Sequence, residues 1–261
     1  MSKQVDIASL DSRKIFHPEL LVGRVALITG GSNGGMLKES AKAFLMHGCS
    51  AVVLMSRNAE KLSAVAAELD AVSNKATCVA MPGDVRNYES CEGVVKQVVE
   101  RFGRLDILIN GAAGNFLASA EKLSTNGFRT VLEIDTIGTF NMSKAAFSNA
   151  FKEARSGKII NISALLHWNG TALQAHSSAA KAGVDALTKV LAVEWGPYNV
   201  HVNGIVPGAI KGTEGFERLG NLSLMNNKAA TAKAAENKSS SDLQEAGGFV
   251  MPVPMQRLGE V

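Results

Sequence analysis

Residues 29–35 read Thr-Gly-Gly-Ser-Asn-Gly-Gly, between an apolar run and a helical pattern. A turn this rich in glycine lets backbone N–H groups approach an anion closely. The N-terminus of the following helix adds its partial positive charge. Such a turn suits a pyrophosphate, and Gly30, Ser32, Asn33 and Gly34 are the residues expected to face it. At the end of the next apolar run stands Met55-Ser56-Arg57-Asn58, which contains no acidic residue. An Asp or Glu there would grip a ribose 2′-hydroxyl and repel a 2′-phosphate. The Arg57 guanidinium instead offers a planar donor fork matched to phosphate. The expected ligand is a dinucleotide carrying a 2′-phosphate, NADP(H) before NAD(H).

These groups must be held by a regular frame. Apolar runs bounded by turn residues occur at 25–29, 51–55, 77–81, 106–109, 158–162 and 200–206. Helical patterns lie between them, near 35–47, 59–71, 87–101, 120–151 and 173–195. Short, continuous apolar runs suit parallel strands covered on both faces. Their alternation with helices predicts an α/β fold of Rossmann type. It is a doubly wound parallel sheet in a three-layer αβα arrangement, with ligands at the carboxyl ends of the strands. The 261 residues are read as a single domain. Residues 1–20 form a leader arm. Residues 211–250, rich in Ala, Lys, Asn and Ser, read either as a mobile lid over a substrate or as a solvated loop.

Bulk properties exclude several classes. The chain is 46% hydrophobic and only 5% aromatic, which fits an aliphatic layered core and not a disordered chain. A net charge of +3, with no Lys/Arg run interleaved with aromatics, speaks against nucleic-acid binding. No apolar run reaches the roughly 18 residues of a membrane span, and the N-terminus lacks a secretory apolar stretch. Cys49, Cys78 and Cys91 are isolated, with neither metal-knuckle nor CxxC spacing, so no metal is expected and a reducing, intracellular setting is.

Further motifs sharpen the reading: Asn110-Gly111-Ala112-Ala113-Gly114, Ser177-Ser178-Ala179-Ala180-Lys181 and Asn203-Gly204-Ile205-Val206-Pro207-Gly208. With the glycine-rich turn, they resemble the short-chain dehydrogenase/reductase family. The family's Thr-Gly-x-x-x-Gly-x-Gly is matched at Thr29, Gly30 and Gly34, while Met36 replaces the last glycine. The resemblance implies that Asp84 and Val85 flank the adenine, that Asn110 and Ala112 leave room for a ribose, and that Pro207 and Ile210 lie against the nicotinamide. Most members use an Asn-Ser-Tyr-Lys set, and the corresponding positions here read Asp135, Ala164, Ser177 and Lys181. The tyrosine is missing.

The segment Glu133–Phe140, with Asn110–Phe116, Gln174-Ala175-His176 and residues 207–215, resembles the peroxisomal-type 2,4-dienoyl-CoA reductase branch of that family. That likeness implies NADPH-dependent reduction of 2,4-dienoyl-CoA to 3-enoyl-CoA in the β-oxidation of unsaturated fatty acids. Asp135 and Lys181 would orient a proton-donating water, Lys181 would hold the nicotinamide ribose, and Asn115 and Phe116 would meet the acyl-CoA. Asp135 could equally be a buried partner of Lys181 with no part in proton transfer. Ser163 is one place early to stand in for the family's Ser. The likeness also implies a homo-oligomer of two or four chains and a peroxisomal location, with the cytosol as the alternative because the chain ends Gly259-Glu260-Val261 and not in a Ser-Lys-Leu-like address. Family members continue with another helix and strand, so the sheet is expected to lack those elements. The competing expectations are a carbonyl or β-ketoacyl reductase using Ser177 or His176, and a catalytically inactive cofactor-binding protein.

Overall fold

The computed structural model describes residues 11–32, 34–72, 76–168, 170–208 and 210. Asn33, the first half of the leader arm, the expected lid and the chain end lie outside these. The chain divides into two compact units, Met1–Pro207 and Gly208–Val261. All the elements below belong to the first.

Six strands form one parallel sheet: β1 (Val25–Thr29), β2 (Ala51–Ser56), β3 (Thr77–Pro82), β4 (Ile107–Asn110), β5 (Gly157–Ile162) and β6 (Val200–Ile205), in the order β3-β2-β1-β4-β5-β6. The register pairs Leu27 with Val53 and with Leu108, Leu108 with Ile159, and Ile159 with Val202. Every residue of β1 and β4 is buried, as their unbroken apolar runs require. The strand order reverses between β1 and β4, and this is where an open sheet of this kind opens a crevice for ligands.

Helices α1 (Gly35–Met46), α2 (Ala59–Asp70), α3 (Tyr88–Phe102), α4 (Thr125–Leu132), α5 (Gly138–Ala146), α6 (Lys152–Ala154) and α7 (Ala175–Trp195) cover the sheet. One layer buries Ala26, Ile28, Val52 and Leu54 with Ala41, Leu45 and Leu62 of α1 and α2. The other buries Leu27, Val53, Leu108 and Ile159 with Met142, Phe151 and Trp195. Helix starts follow local chemistry. Asn58, Asn87 and Ser124 each accept a backbone N–H three residues on, satisfying a donor the helix cannot. Gly103 closes α3 at φ 73°.

The single helical pattern expected over 120–151 is interrupted twice. Between α4 and α5 the backbone widens into a π-helical turn, Glu133–Ile137, and a second follows at Phe147–Phe151. Such turns recur at functional sites because they re-aim side chains. Opposite the crevice, at the amino ends of the strands, Asp106 accepts from Arg24 at 2.9 Å, Arg104 at 2.8 Å and the Val25 N–H at 2.9 Å. Burial opposes ionisation there, but Arg104, Val25 and Arg24 together hold the carboxyl below its usual range. Along the leader arm, Ser12 Oγ lies 3.0 Å from His47 Nε2, and the Leu21 N–H donates to the His47 carbonyl at 2.9 Å. No helix among the described residues is long and apolar enough to cross a membrane.

Candidate active site

Two strand ends meet at the reversal point. Thr29 Oγ1 accepts the N–H groups of Gly111 and Ala112, both at 3.1 Å, tying the glycine-rich turn to the turn after β4. Gly30 sits at φ 84°, and a Cβ there would fall 2.8 Å from the Gly111 carbonyl oxygen and 2.9 Å from Ala112 Cα. Only glycine allows that approach. Gly34, at φ 71°, has no described group beyond its chain neighbours within 4 Å of a built Cβ, so among the described residues the turn at the start of α1 is open there. Helix α1 accommodates Met36, partly buried, and the Met36 carbonyl also accepts from Ser40 Oγ at 2.8 Å.

On the neighbouring edge Arg57 is exposed, with its charge close enough to Asp84 to favour the carboxylate. Asp84 accepts from Arg86 Nε at 3.0 Å, and that guanidinium is the main reason its carboxyl lies below the ordinary range. Val85 turns its side chain toward α5, where a Cβ on Gly138 would come within 2.6 Å of Val85 Cγ2, and its carbonyl accepts from Asn141 at 2.9 Å. The Asn110 amide is likewise turned inward. Its Nδ2 donates to Ser143 Oγ at 2.9 Å and to Asn161 Oδ1 at 2.8 Å, and Asn161 continues to Thr188 Oγ1 at 2.8 Å. That chain binds β4, α5, β5 and α7 into one rigid block. Ala112, in the turn after Asn110, is partly buried and packs against the core layer of Leu108 and Met142.

Asp135 and Lys181 are brought together. Asp135, in the π-helical turn, is 1% exposed, and Lys181, in α7, is 7% exposed. Lys181 Nζ lies 3.1 Å from Asp135 Oδ2 and donates to the Ile162 carbonyl at 2.9 Å. Asp135 Oδ1 accepts the Gly114 N–H at 2.7 Å. The ion pair is close but poorly aligned: Oδ2 receives no hydrogen bond of proper geometry from a described residue. One oxygen of a buried carboxylate is therefore left without a well-formed hydrogen bond from a described residue, beside an ammonium. The Gly114 N–H and the Ile162 carbonyl escaped the sequence reading because backbone groups carry no residue signature.

Around this pair stand Phe116, Gln174 and His176. The Phe116 and His176 rings stack with centroids 4.3 Å apart at 31°, and Phe116 is 39% exposed while His176 is fully buried. Gln174, 1% exposed, reaches the Phe116 carbonyl at 3.5 Å. Leu173 precedes it at φ 64°, a conformation that costs a bulky residue about 1–3 kcal/mol and clusters at functional sites. The signal for these residues was faint, a lone His and an amide beside a helix start. Ser163 follows β5 on the face of Asn161, with its Oγ buried and lacking a described partner. Ser177 is 2% exposed. Asn115 lies in the turn after β4, partly buried, next to Phe116. Pro207 ends the first unit, and Ile210 belongs to the second.

Residues 24–222 match the short chain dehydrogenase family. The chain belongs to that family. Among relatives of this short-chain dehydrogenase, a protein of Danio rerio named peroxisomal 2,4-dienoyl-CoA reductase, (3E)-enoyl-CoA-producing, is 47% identical over 245 residues, covering 94% of this chain and 74% of that protein. A protein of the same name from Rattus norvegicus is 48% identical over 206 residues, covering 79% of this chain and 69% of its own. Among solved structures, a short chain dehydrogenase from Bacillus anthracis is 36% identical with a TM-score of 0.71, over 91% of this chain and 84% of its own. Family membership brings a nicotinamide cofactor, and the residues present fit one. Gly30 is irreplaceable at its turn, Gly34 leaves room among the described residues, and the Lys181 ammonium stands at the carboxyl end of β5.

Proposed function

We propose that this short-chain dehydrogenase is an NADPH-dependent 2,4-dienoyl-CoA reductase that yields 3-enoyl-CoA. The observation that carries it is the buried Asp135–Lys181 pair, 3.1 Å apart, in a site whose tyrosine position is Ser177. A ketone reductase must protonate an alkoxide oxygen, for which a phenol beside Lys is suited. A serine hydroxyl is a far weaker acid. Reduction of a conjugated dienoyl thioester ends differently, with a proton delivered to the α-carbon of a dienolate. NADPH, when bound, supplies the hydride that enters at the far end of the conjugated system.

The remaining work falls to the chain. The Ile162 carbonyl fixes the Lys181 ammonium, and the Gly114 N–H fixes Asp135. A water beside the pair, touching both the ammonium and Oδ2, is held and polarised by both charges, a general acid/base role worth about 10²–10⁴ in rate. Phe116, stacked on His176 and partly exposed, offers an apolar face to the acyl chain with Asn115 beside it. Arg57, with no carboxylate at the end of β2, supports NADPH over NADH. Asp84 and Val85 stand for the adenine, the latter through its backbone, and Pro207 and Ile210 for the nicotinamide. A peroxisomal location is carried over from the named relatives and an assembly of two or four copies from the family resemblance, and density fractionation and light scattering test them.

The deciding assay follows NADPH absorbance with 2,4-hexadienoyl-CoA and 2,4-decadienoyl-CoA against ketone substrates. Turnover of the dienoyl thioesters, loss of it in Asp135→Ala and Lys181→Ala, and near-silence of Ser177→Ala are expected. Full activity in the first two variants, or a preference for ketones that Ser177→Ala abolishes, refutes the proposal.

A further inference from the structure

Each turnover consumes a proton as well as a hydride, yet Asp135 and Lys181 are 1% and 7% exposed. The water they hold must be restored after every cycle through protein that is largely closed. At the start of α7, His176 is 0% exposed, and neither ring nitrogen makes a hydrogen bond of proper geometry with a described residue. Gln174 Oε1 and Asp135 Oδ2 share that condition. Gln174 and His176 both meet Phe116, and the Asp135 charge acts on His176; an unsatisfied buried polar atom costs about 1–3 kcal/mol, so a polar guest beside these atoms is favoured. They are acceptors, apart from the one N–H of a neutral imidazole, and they suit water, which can donate to each of them.

The imidazole stacks at 4.3 Å on Phe116, whose ring is 39% exposed and forms its border with the outside. Burial pulls the His176 pKa below its ordinary value, against the opposing pulls of the nearby Phe116 carbonyl and of the Asp135 carboxylate. A neutral ring has one bare nitrogen and one N–H, the form needed to take a proton on one side and release one on the other.

We propose that His176 is a positioning residue for the proton, relaying it from solvent past Gln174 to the Asp135–Lys181 water between turnovers. This rests on the reductase reading above. When that water gives its proton to the substrate's α-carbon, hydroxide is left beside the two charges. A solvent proton binds the bare nitrogen of His176, and the imidazolium so formed releases one proton toward the hydroxide, restoring water and the neutral ring. One proton enters from solvent, one leaves in product, and no electrons move in the relay.

The test compares wild type with His176→Gln, which keeps a hydrogen-bonding group but cannot pass a proton, and with His176→Gly, which opens space for added imidazole. Fluorescence titration with NADPH confirms that each variant is folded. For both, kcat with 2,4-hexadienoyl-CoA falls about tenfold or more, the low end of the effect of a lost acid/base group. KM changes little, and the solvent deuterium isotope effect on kcat rises in His176→Gln. Free imidazole restores kcat in His176→Gly. Unchanged kcat and isotope effect in His176→Gln overturn the relay, and so does a loss seen mainly in KM or one that imidazole fails to restore. If His176→Gly does not fold, the kcat, KM and isotope effect of His176→Gln decide alone. Asp135→Asn is measured in parallel: if it is inactive while the His176 variants behave as wild type, the relay alone fails, whereas activity in Asp135→Asn brings down the reductase reading itself.

Discussion

Removing the charge of Asp135 without its shape separates what the ion pair does for folding from what it does for chemistry. In Asp135→Asn the side-chain oxygen can still accept the Gly114 N–H, now 2.7 Å from Oδ1. What vanishes is the negative partner 3.1 Å from Lys181 Nζ. An ammonium 7% exposed then keeps the Ile162 carbonyl as its remaining close contact. Breaking a buried pair from one side costs about 3–5 kcal/mol, and for a chain of this size each kcal/mol lowers Tm by about 2–4 °C. The retained hydrogen bond puts Asp135→Asn at the lower end, so a Tm loss of about 6–12 °C is expected. Lys181→Met leaves the carboxylate unpaired and loses a similar amount. The double variant Asp135→Asn/Lys181→Met leaves no charge stranded, so its Tm recovers above the sum of the single losses, with a coupling of about 0.5–3 kcal/mol. Activity does not recover with it, since kcat stays about 10²–10⁴ below wild type in all three. Calorimetry with an NADPH-consumption assay on the same samples reads both quantities. Additive Tm losses would show that the charges do not interact as placed, and a double variant with restored turnover would show that neither is needed for the proton.

Three further outcomes follow from other parts of the molecule. Arg57→Glu should weaken NADPH by about 10–100-fold, from loss of a charged hydrogen bond worth about 1.5–3 kcal/mol, while NADH improves; isothermal titration with both nucleotides reads the exchange, and equal losses for both refute the 2′-phosphate role. Gly30→Ala should abolish nucleotide binding and lower Tm, because its Cβ would lie 2.8 Å from the Gly111 carbonyl oxygen at a φ of 84°; wild-type affinity would show that the two turns part at no cost. The Asp106 carboxyl is held below its usual range, so its stabilisation is fully present above the unfolded value of about 3.9 and is lost as pH falls through the lower folded value; Asp106→Asn should flatten Tm against pH below about 4, and an unchanged acid slope counts against it.

How far the sequence spoke for itself differs between frame and site. Expected strands at 25–29, 51–55 and 77–81 fall on β1, β2 and β3 almost residue for residue, because buried parallel strands must be continuously apolar and end where turns begin. The helix expected from 120 starts at Thr125 instead. Lys122 and Leu123 close a turn on the Ser119 carbonyl, and Ser124 then caps the helix, so capping chemistry overrides the apolar period. The helix expected from 173 starts at Ala175, since Leu173 at φ 64° cannot be helical. Asp135 and Lys181 can be named from the sequence through the family resemblance, Lys181 as the lysine that is kept and Asp135 as the replacement of the usual asparagine. The inward turn of Asn110, the packing of Val85 on Gly138 and the stacking of Phe116 on His176 depend on which face a neighbour presents, and no one-dimensional pattern records that.

The π-helical turn links these two levels. Within 125–146 the chain buries Val131 from α4 and Met142 from α5, and Met142 belongs to the apolar layer of Leu108 and Ile159. An uninterrupted α-helix would fix the direction of every residue between them by its 3.6-residue period. Widening the backbone at Glu133–Ile137 breaks that constraint, so Asp135 can meet the Gly114 N–H and the Lys181 ammonium while Val131 and Met142 on the flanking segments stay buried. A carboxylate on the same segment can thus enter a site built around a lysine without disturbing the core. The result is a pair of opposite charges, 3.1 Å apart, at a site whose tyrosine position is Ser177.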